Sequence, residues 1–519
     1  MRLVWCALLT MLVLPAAGEA QLAPIGIPRG LLRVGVDGSF AYANERFNDG
    51  TRESLGANFT SPALGSAQIP TLAEADQRIA VLLNQPGYKL NLGASIGTAQ
   101  VSSGTGAFSM GLGITRGLAI YGRLPFVSTW WRQAVSIDTA TSTAGVNLAD
   151  PVIGTTTGAS VAESFFTEFN SSLAGLEQRI VTGVYDGDPT TKALAIQTLA
   201  SGAALSDSLS ALITNAGTAS PFLPLASSGA GQTLSGQVSS VQQALDGLGA
   251  GGFTAALPLP TDPAQATDLN SYATAAAGSI GYSSLTNSQR TGIGDVEVGA
   301  VYTAIDHWDA DAGRGLRLAA IGTVRFPTGQ VARPTDPFGV SLGAGTSAVG
   351  FGMVLDLGGG MVGARISGGY LLQLPGDFTR RVASPYTAIV PRSATADVTV
   401  NPGDQIRIGV APFLRLARAF GMVGSAVWLN QGTDNVQYAT AADSVPGVPS
   451  SLLAEGTGAS RFLLSIGVTY STPGTRADGT GGVPIDAGWR WETTIASSGG
   501  ITTNWSAIVF FAQVYAKLW

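Results

Sequence analysis

The chain has 519 residues, of which 12% are charged, and its formal net charge is −6. About a quarter of the residues are normally charged in a soluble protein, so this composition is unusual for one. The negative net charge excludes a broad basic surface for nucleic acid, and no nucleic-acid partner is expected.

The amino terminus predicts export. Arg2 precedes an apolar run over residues 3–15, and small residues follow up to Ala20. The run is too short to span a bilayer, so residues 1–20 are predicted to be a cleavable signal peptide. Cys6, the one cysteine, would be removed with it. The mature chain would then have neither disulfides nor cysteine–metal sites.

The sequence offers little material for catalysis. His307 is the single histidine and lies between acidic residues, so we predict a solvated turn residue. Residues 247–252 match a dinucleotide fingerprint formally but follow a helical pattern, and we predict a flexible loop there. No catalytic residue, metal or cofactor is expected. A hydrolase that depends on His307 is the least favoured hypothesis.

The amino-terminal part predicts barrel strands. Residues 32–44 alternate Val34, Val36 and Phe40 with Arg33 and Asp37. Further strands are predicted over residues 90–101, 108–115 and 118–127, and tight turns over residues 115–117 and 358–360. Residues 47–85 either contain another weak strand or lie inside the barrel as a plug. Residues 21–133 therefore form the first predicted group of barrel strands.

The alternation disappears between residues 127 and 291. Phe165, Phe169 and Leu173 recur at helical spacing, as do Leu234 and Val238. Residues 134–290 are therefore predicted to be a helical insertion on the extracellular side. Its apolar stripes are expected to pack on each other or on the barrel rim, as a lid or binding surface.

The carboxyl-terminal part, residues 291–519, has the strongest period of two. In residues 316–326, Leu318 and Val324 alternate with Arg317 and Arg325, and the pattern recurs in five later segments. Each segment is about ten residues long, which a tilted membrane strand requires. We predict an all-β fold: a transmembrane antiparallel barrel of about 12–14 strands. A secreted sandwich, which shares this periodicity, is the alternative.

Charged residues on the faces opposite the apolar ones are predicted to line a pore, because arginine facing lipid would cost about 2–4 kcal/mol. They could bias the channel toward anions, or they could pair and fill a narrow barrel; both alternatives stay open. The predicted pore-lining residues are Arg33, Arg123, Asp295, Glu297, Arg317, Arg325, Asp356, Arg365, Arg407, Arg415, Arg461, Arg490 and Glu492.

The last predicted strand ends in Trp519. A terminal aromatic residue is typical of barrels presented to the barrel-assembly machinery, which is therefore an expected partner along with membrane lipid. The agreement is partial, because Trp519 shares its face with Lys517 rather than with the apolar residues.

Three segments carry a family resemblance: Gly-Ile-Gly-Asp-Val-Glu-Val-Gly-Ala-Val-Tyr at 292–302, Ala-Ile-Gly-Thr-Val-Arg-Phe-Pro-Thr-Gly at 320–329, and Tyr-Gly-Arg-Leu-Pro-Phe-Val at 121–127. They resemble the outer-membrane transporter-like family named for the meta-pathway of phenol degradation, which is similar to long-chain fatty acid transporter-type barrels. The resemblance implies a porin-like channel in the cell outer membrane for passive uptake of small hydrophobic or aromatic solutes. A non-transporting surface barrel, whose helical insertion binds a partner or adheres, is the alternative.

Overall fold

The computed structural model describes residues 26–309, 312–385, 387–417, 419–472 and 484–519. The predicted signal peptide lies outside these residues. Twelve antiparallel strands, each paired with its neighbours in the chain, form a sheet that closes where β1 pairs with β12. The strands are β1 Leu31–Ala43, β2 Ala94–Gly113, β3 Leu118–Asp138, β4 Val296–Asp309, β5 Arg314–Phe326, β6 Ala348–Gly359, β7 Val362–Gln373, β8 Gln405–Arg415, β9 Phe420–Gln431, β10 Ala459–Ser471, β11 Ile485–Ser498 and β12 Ser506–Lys517. The predicted all-β barrel is thereby confirmed, at the lower end of the predicted strand number.

The outer surface of the barrel is apolar. Every strand exposes large apolar side chains at alternate positions, for example Val36 at 52%, Phe351 at 62% and Trp489 at 52%. In a sandwich these faces would be buried against each other, so the sandwich alternative is wrong. An apolar wall with all backbone groups paired around a closed ring is the form in which strands cross a bilayer.

The two ends of the barrel differ. Short connections such as residues 114–117 and 360–361 join strands at one end, close to the predicted turns. The longest connections, including residues 44–93 and 139–286, leave from the other end. Short periplasmic turns and long extracellular loops are the usual arrangement of outer-membrane barrels, which orients this one.

Two predicted strand boundaries are wrong. The predicted strands over residues 90–101 and 108–115 belong to one 20-residue strand, β2. Its serine- and glycine-rich middle resembles a turn in sequence, but it pairs with both β1 and β3 without interruption. Ser103 also lies 3.1 Å from Thr129 of β3, hydroxyl to hydroxyl. The strand β3 continues to Asp138 instead of ending near Val127.

The predicted turn at His307 is also wrong. His307 lies within β4, where it pairs with Leu316 and is exposed. The register between β4 and β5 shifts between Leu318 and Ala319. This bulge reverses the alternation, so His307 lies on the outer face and Trp308 on the inner face.

The extracellular connections form a cap, which comprises residues 44–93, 139–286, 327–347, 374–404 and 432–458. Its helices are α1 Ala73–Leu82, α2 Thr156–Val181, α3 Pro189–Ile213, α4 Gly229–Gly247, α5 Ala266–Thr274 and α6 Ser450–Ala454, with 3₁₀ turns at Ala57–Phe59, Pro70–Leu72, Thr139–Thr141, Arg392–Ala394 and Ala441–Asp443. Short strands outside the barrel are Glu45–Asn48, Thr51–Ser54, Ala144–Val146, Phe222–Pro224, Gly376–Arg381, Thr395–Asn401, Asn435–Tyr438 and Ile501–Thr503. The short strand Asn287–Ile293 belongs to the barrel sheet, where it pairs with β3. Across the described residues, the helices are all too short or too polar to cross a membrane.

The helices α2 and α4 contain the two predicted apolar stripes. Side-chain caps mark the amino-terminal ends of α2 and α3. The Thr155 hydroxyl accepts a hydrogen bond from the backbone N–H of Gly158, and the Asp188 carboxylate caps Pro189–Ile213. Phe169 of α2 stacks on Phe253 at 4.6 Å between ring centroids. Leu64, from the segment between β1 and β2, joins the same buried core. That segment therefore packs with the helical insertion at the extracellular end.

Candidate functional site: the inner face and the extracellular mouth

Charged residues on the inner face form fixed pairs across strands. Arg123 of β3 donates to Asp37 of β1, from Nε to Oδ1 at 3.2 Å and from Nη2 to Oδ2 at 2.6 Å. In the same way Arg365 of β7 donates to Asp356 of β6, at 2.6 Å from Nε and 2.9 Å from Nη2. Such bidentate pairs hold both partners in one geometry.

A third pair lies near the periplasmic end. Arg317 Nε donates to Asp306 Oδ1 at 2.9 Å, and the guanidinium carbon lies 5.6 Å from the Trp308 ring centroid. Both partners share the inner face only because the bulge reverses the end of β4. The sequence pattern alone did not place Asp306 and Trp308 there.

Asp295 lies in a break between the strand Asn287–Ile293 and β4 rather than within a strand. Its carboxylate is fully buried and accepts hydrogen bonds from the backbone N–H groups of Gly329 at 2.9 Å and Ala344 at 2.7 Å. Arg325 Nε lies 3.9 Å from Asp295, and Arg325 Nη2 donates to Gln373 at 3.1 Å. Asp295 thereby fixes the connection 327–347, the mouth loop.

The remaining predicted residues are distributed along the height of the barrel rather than gathered in one cluster. Arg490 Nε lies 3.4 Å from Glu492 Oε2 on β11. Burial divides the predicted set in two. Buried members are Arg123, Asp295, Glu297, Arg325, Asp356, Arg365, Arg461 and Arg490; half-buried members are Arg33, Arg317, Arg407, Arg415 and Glu492.

Apolar and aromatic groups also occupy the inner face, and the sequence analysis missed them. Trp308 packs edge-on against Phe413 at 6.3 Å between ring centroids. Tyr121 forms a hydrogen bond with Thr323 at 2.8 Å, beside buried Val301. The sequence pattern that could have indicated them is the presence of apolar residues, such as Val301 and Phe413, at positions that alternate with the lipid-facing residues of the same strand. The inner face is therefore mixed in character.

The mouth loop covers part of the extracellular opening. Phe338 of this loop stacks on Trp131 of β3, with ring centroids 5.4 Å apart and planes 18° apart. Val340 and Ile501 are buried in the same cluster. A Cβ atom at Gly343 would collide with the Asp295 carboxylate. The mouth loop can therefore approach the strand break at Asp295 this closely only with glycine at position 343.

The described part of the chain contains no group of three or more His, Cys, Asp or Glu side chains arranged to hold a metal ion.

No family model and no curated protein matches this sequence. Solved structures are similar in architecture. An outer membrane channel from Pseudomonas putida F1 has 8% identity and a TM-score of 0.43, covering 97% of this chain and 100% of that one. A FadL homologue from Pseudomonas aeruginosa has 7% identity and a TM-score of 0.29, covering 94% and 90%. The transport unit of the autotransporter AIDA-I from Escherichia coli has 6% identity and a TM-score of 0.32, covering 97% and 94%.

Channels and an autotransporter unit both occur among these similar structures, at identities of 8% or less.

Proposed function

We propose that this protein is an outer-membrane channel for passive uptake of small hydrophobic or aromatic compounds, exported with its signal peptide and folded by the barrel-assembly machinery. The observation that carries the proposal is the mixed inner face inside a closed, membrane-embedded wall. Aromatic groups such as Trp308 and Tyr121 lie beside fixed charge pairs such as Arg123–Asp37. Ligand sites are commonly mainly apolar, with a few placed polar groups that orient the solute.

In this proposal the predicted charged residues line the path of the solute. Pairs such as Arg365–Asp356 place opposite charges together, which lowers the cost of burying each charge and limits the field along the lumen. An uncharged aromatic solute could then contact apolar side chains between the pairs. The insertion 134–290 would act as a lid or collecting surface above the barrel strands of 21–133 and 291–519.

An enzymatic role has little support from the position of the histidine. His307 is exposed on the outer face, whereas the adjacent Asp306 faces inward and accepts from Arg317. A hydrolase needs its base within reach of a nucleophile and of the substrate on the same side of the wall.

The test is uptake by liposomes that contain the refolded mature chain. Gly369 and Gly368 are neighbours on β7 that face opposite sides: Gly369 pairs with Arg407 of the inner face and Gly368 with Ile408 of the outer face. The nearest atom to a Cβ at Gly369 is 3.5 Å away, and none lies within 4 Å at Gly368. Gly369→Trp should therefore narrow the lumen, while Gly368→Trp should place its indole in lipid.

We expect wild type and Gly368→Trp to take up benzyl alcohol at similar rates and Gly369→Trp to be several-fold slower. Equal rates in protein-free and wild-type liposomes would overturn the proposal. Equal slowing by both tryptophans would also contradict it, because only one faces the lumen. The non-transporting alternative is correct if wild-type liposomes take up no benzyl alcohol and if deletion of residues 134–289 abolishes binding of the protein to cells.

A further inference from the structure

The cap contains a cleft that the barrel interior does not explain. It lies between the mouth loop and the strand Gly376–Arg381, and its volume is about 110 Å³. Pro334, Pro337 and Val382 form part of its walls. Such proline-rich walls need little ordering when a ligand binds.

The cleft is positively charged. Arg333, Arg380 and Arg381 all line it, and Asp336 is the one acidic residue among the described lining residues. The Asp336 carboxylate is engaged within the cap: it accepts from Phe338 N at 3.0 Å and from the Ser288 hydroxyl at 2.9 Å. The three guanidinium groups outnumber this one carboxylate, so the lining of the cleft carries an excess of positive charge.

Arg381 is held rigidly in this wall. Its Nη1 donates to the Val390 carbonyl at 2.8 Å and its Nη2 to the Ile280 carbonyl at 2.6 Å. Its guanidinium carbon lies 4.3 Å from the Tyr282 ring centroid. Burial lowers the pKa of Arg381, and the nearby Tyr282 opposes that shift. An arginine stays cationic in proteins, so this charge is permanent.

The cleft continues toward the barrel rim. A second cavity of about 90 Å³ shares Ala332, Gly339 and Arg380 with it. The second cavity also reaches Gln431, the last residue of β9. Arg380 therefore lies where the cleft and this second cavity meet.

We propose that this cleft captures a small amphiphile that has an aromatic or apolar body and one carboxylate, before the solute reaches the barrel. Arg333 and Arg380 bind the carboxylate through charge-assisted hydrogen bonds, Arg381 contributes a fixed positive charge, and the proline walls contact the body. The inference deepens the proposed channel function and rests on it for the route beyond Arg380.

Binding to the full mature chain in lipid nanodiscs tests the proposal, with benzoate and its uncharged analogue benzyl alcohol as probes in calorimetric titrations. Arg333→Gln and Arg380→Gln should each raise the benzoate Kd about tenfold, since each removes a charge-assisted contact. Benzyl alcohol should bind more weakly than benzoate and respond little. Arg78→Gln is the matched control: Arg78 is a cap arginine of α1 that pairs with Glu74 at 2.6 Å, outside the cleft.

Arg333 is exposed, so its substitution keeps the test valid if Arg380→Gln fails to fold. Equal affinity for benzoate and benzyl alcohol, or unchanged benzoate affinity in Arg333→Gln, would overturn the capture site. Uptake measured in parallel separates the two proposals. Benzyl alcohol uptake with no arginine-dependent benzoate binding would refute the cleft alone, whereas arginine-dependent binding without any uptake would refute the channel alone.

Discussion

Arg123 and Asp37 form a bidentate ion pair from β3 to β1, across the whole width of the intervening strand β2. Their side chains are only 7% and 11% exposed. The pair therefore ties together three neighbouring strands from inside the barrel, and it does so with two charges withdrawn from bulk water.

Removing one member of this pair should destabilise the barrel strongly. Asp37→Ala leaves the Arg123 guanidinium without its carboxylate, and we expect a loss of about 3–5 kcal/mol in the free energy of unfolding. Urea unfolding in lipid vesicles, followed by tryptophan fluorescence, measures it. The double variant Asp37→Asn with Arg123→Gln should recover part of the loss, because it removes the charges of both partners. A loss below about 1 kcal/mol in Asp37→Ala would show that the pair is solvated.

The two faces of β12 should respond oppositely to charge. Phe510 is 50% exposed on the outer face, whereas the adjacent Phe511 is half-buried and pairs with Asp37. Phe510→Arg should cost about 2–4 kcal/mol because the guanidinium enters hydrocarbon. Phe511→Arg should cost less, since its charge lies beside a carboxylate on the inner face. Equal costs in the same vesicle unfolding assay would contradict the assigned sidedness.

The mouth loop should loosen when its aromatic contact is removed. Phe338 is 2% exposed and stacks on Trp131, so Phe338→Ala should cost the loop about 3 kcal/mol or more of local stability. We expect faster hydrogen exchange across residues 327–347 and a larger single-channel conductance. Phe338→Leu keeps most of the apolar volume and serves as the control. Unchanged conductance in Phe338→Ala, despite faster exchange, would show that this loop does not limit passage.

One cap carboxyl should give the stability a defined pH dependence. Burial raises the pKa of Asp434 above its ordinary value, although its carboxylate accepts from Gly403 N at 2.9 Å. A raised pKa in the folded state favours the protonated carboxyl. The contribution of Asp434 to the free energy of unfolding is therefore largest at low pH and is lost as the pH rises through the folded-state pKa.

Asp434→Asn retains a carbonyl acceptor for Gly403 and removes this titration. Relative to wild type, the Tm of Asp434→Asn should therefore be higher at pH 7 than at pH 4, because only the wild-type carboxyl ionises as the pH rises. Thermal unfolding of both proteins across this range measures the difference. A difference that does not change with pH would show that Asp434 is ionised equally in the folded and unfolded chains.

Residue order along single segments was enough to predict the class of fold, the lipid-facing residues and many residues of the inner face. Alternation is a local property of an extended chain, so Phe351, Trp489 and their counterparts could be assigned to lipid from residue order alone. The apolar stripes of α2 and α4 could be predicted in the same way. The helix α3 was not predicted individually, because its apolar residues are spread around the helix.

Which residues contact each other depends on the packing of segments that are distant in the chain. The bulge opposite Leu318 and Ala319 turned His307 outward and Trp308 inward, and a bulge depends on pairing with a neighbour rather than on the strand's own pattern. The Arg123–Asp37 pair joins residues 86 positions apart, and the cap cleft gathers Arg333 and Arg380 from different loops. The periodicity and polarity of a strand are properties of a single segment. Strand register, strand breaks and loop packing arise from contacts between segments that are distant in the chain.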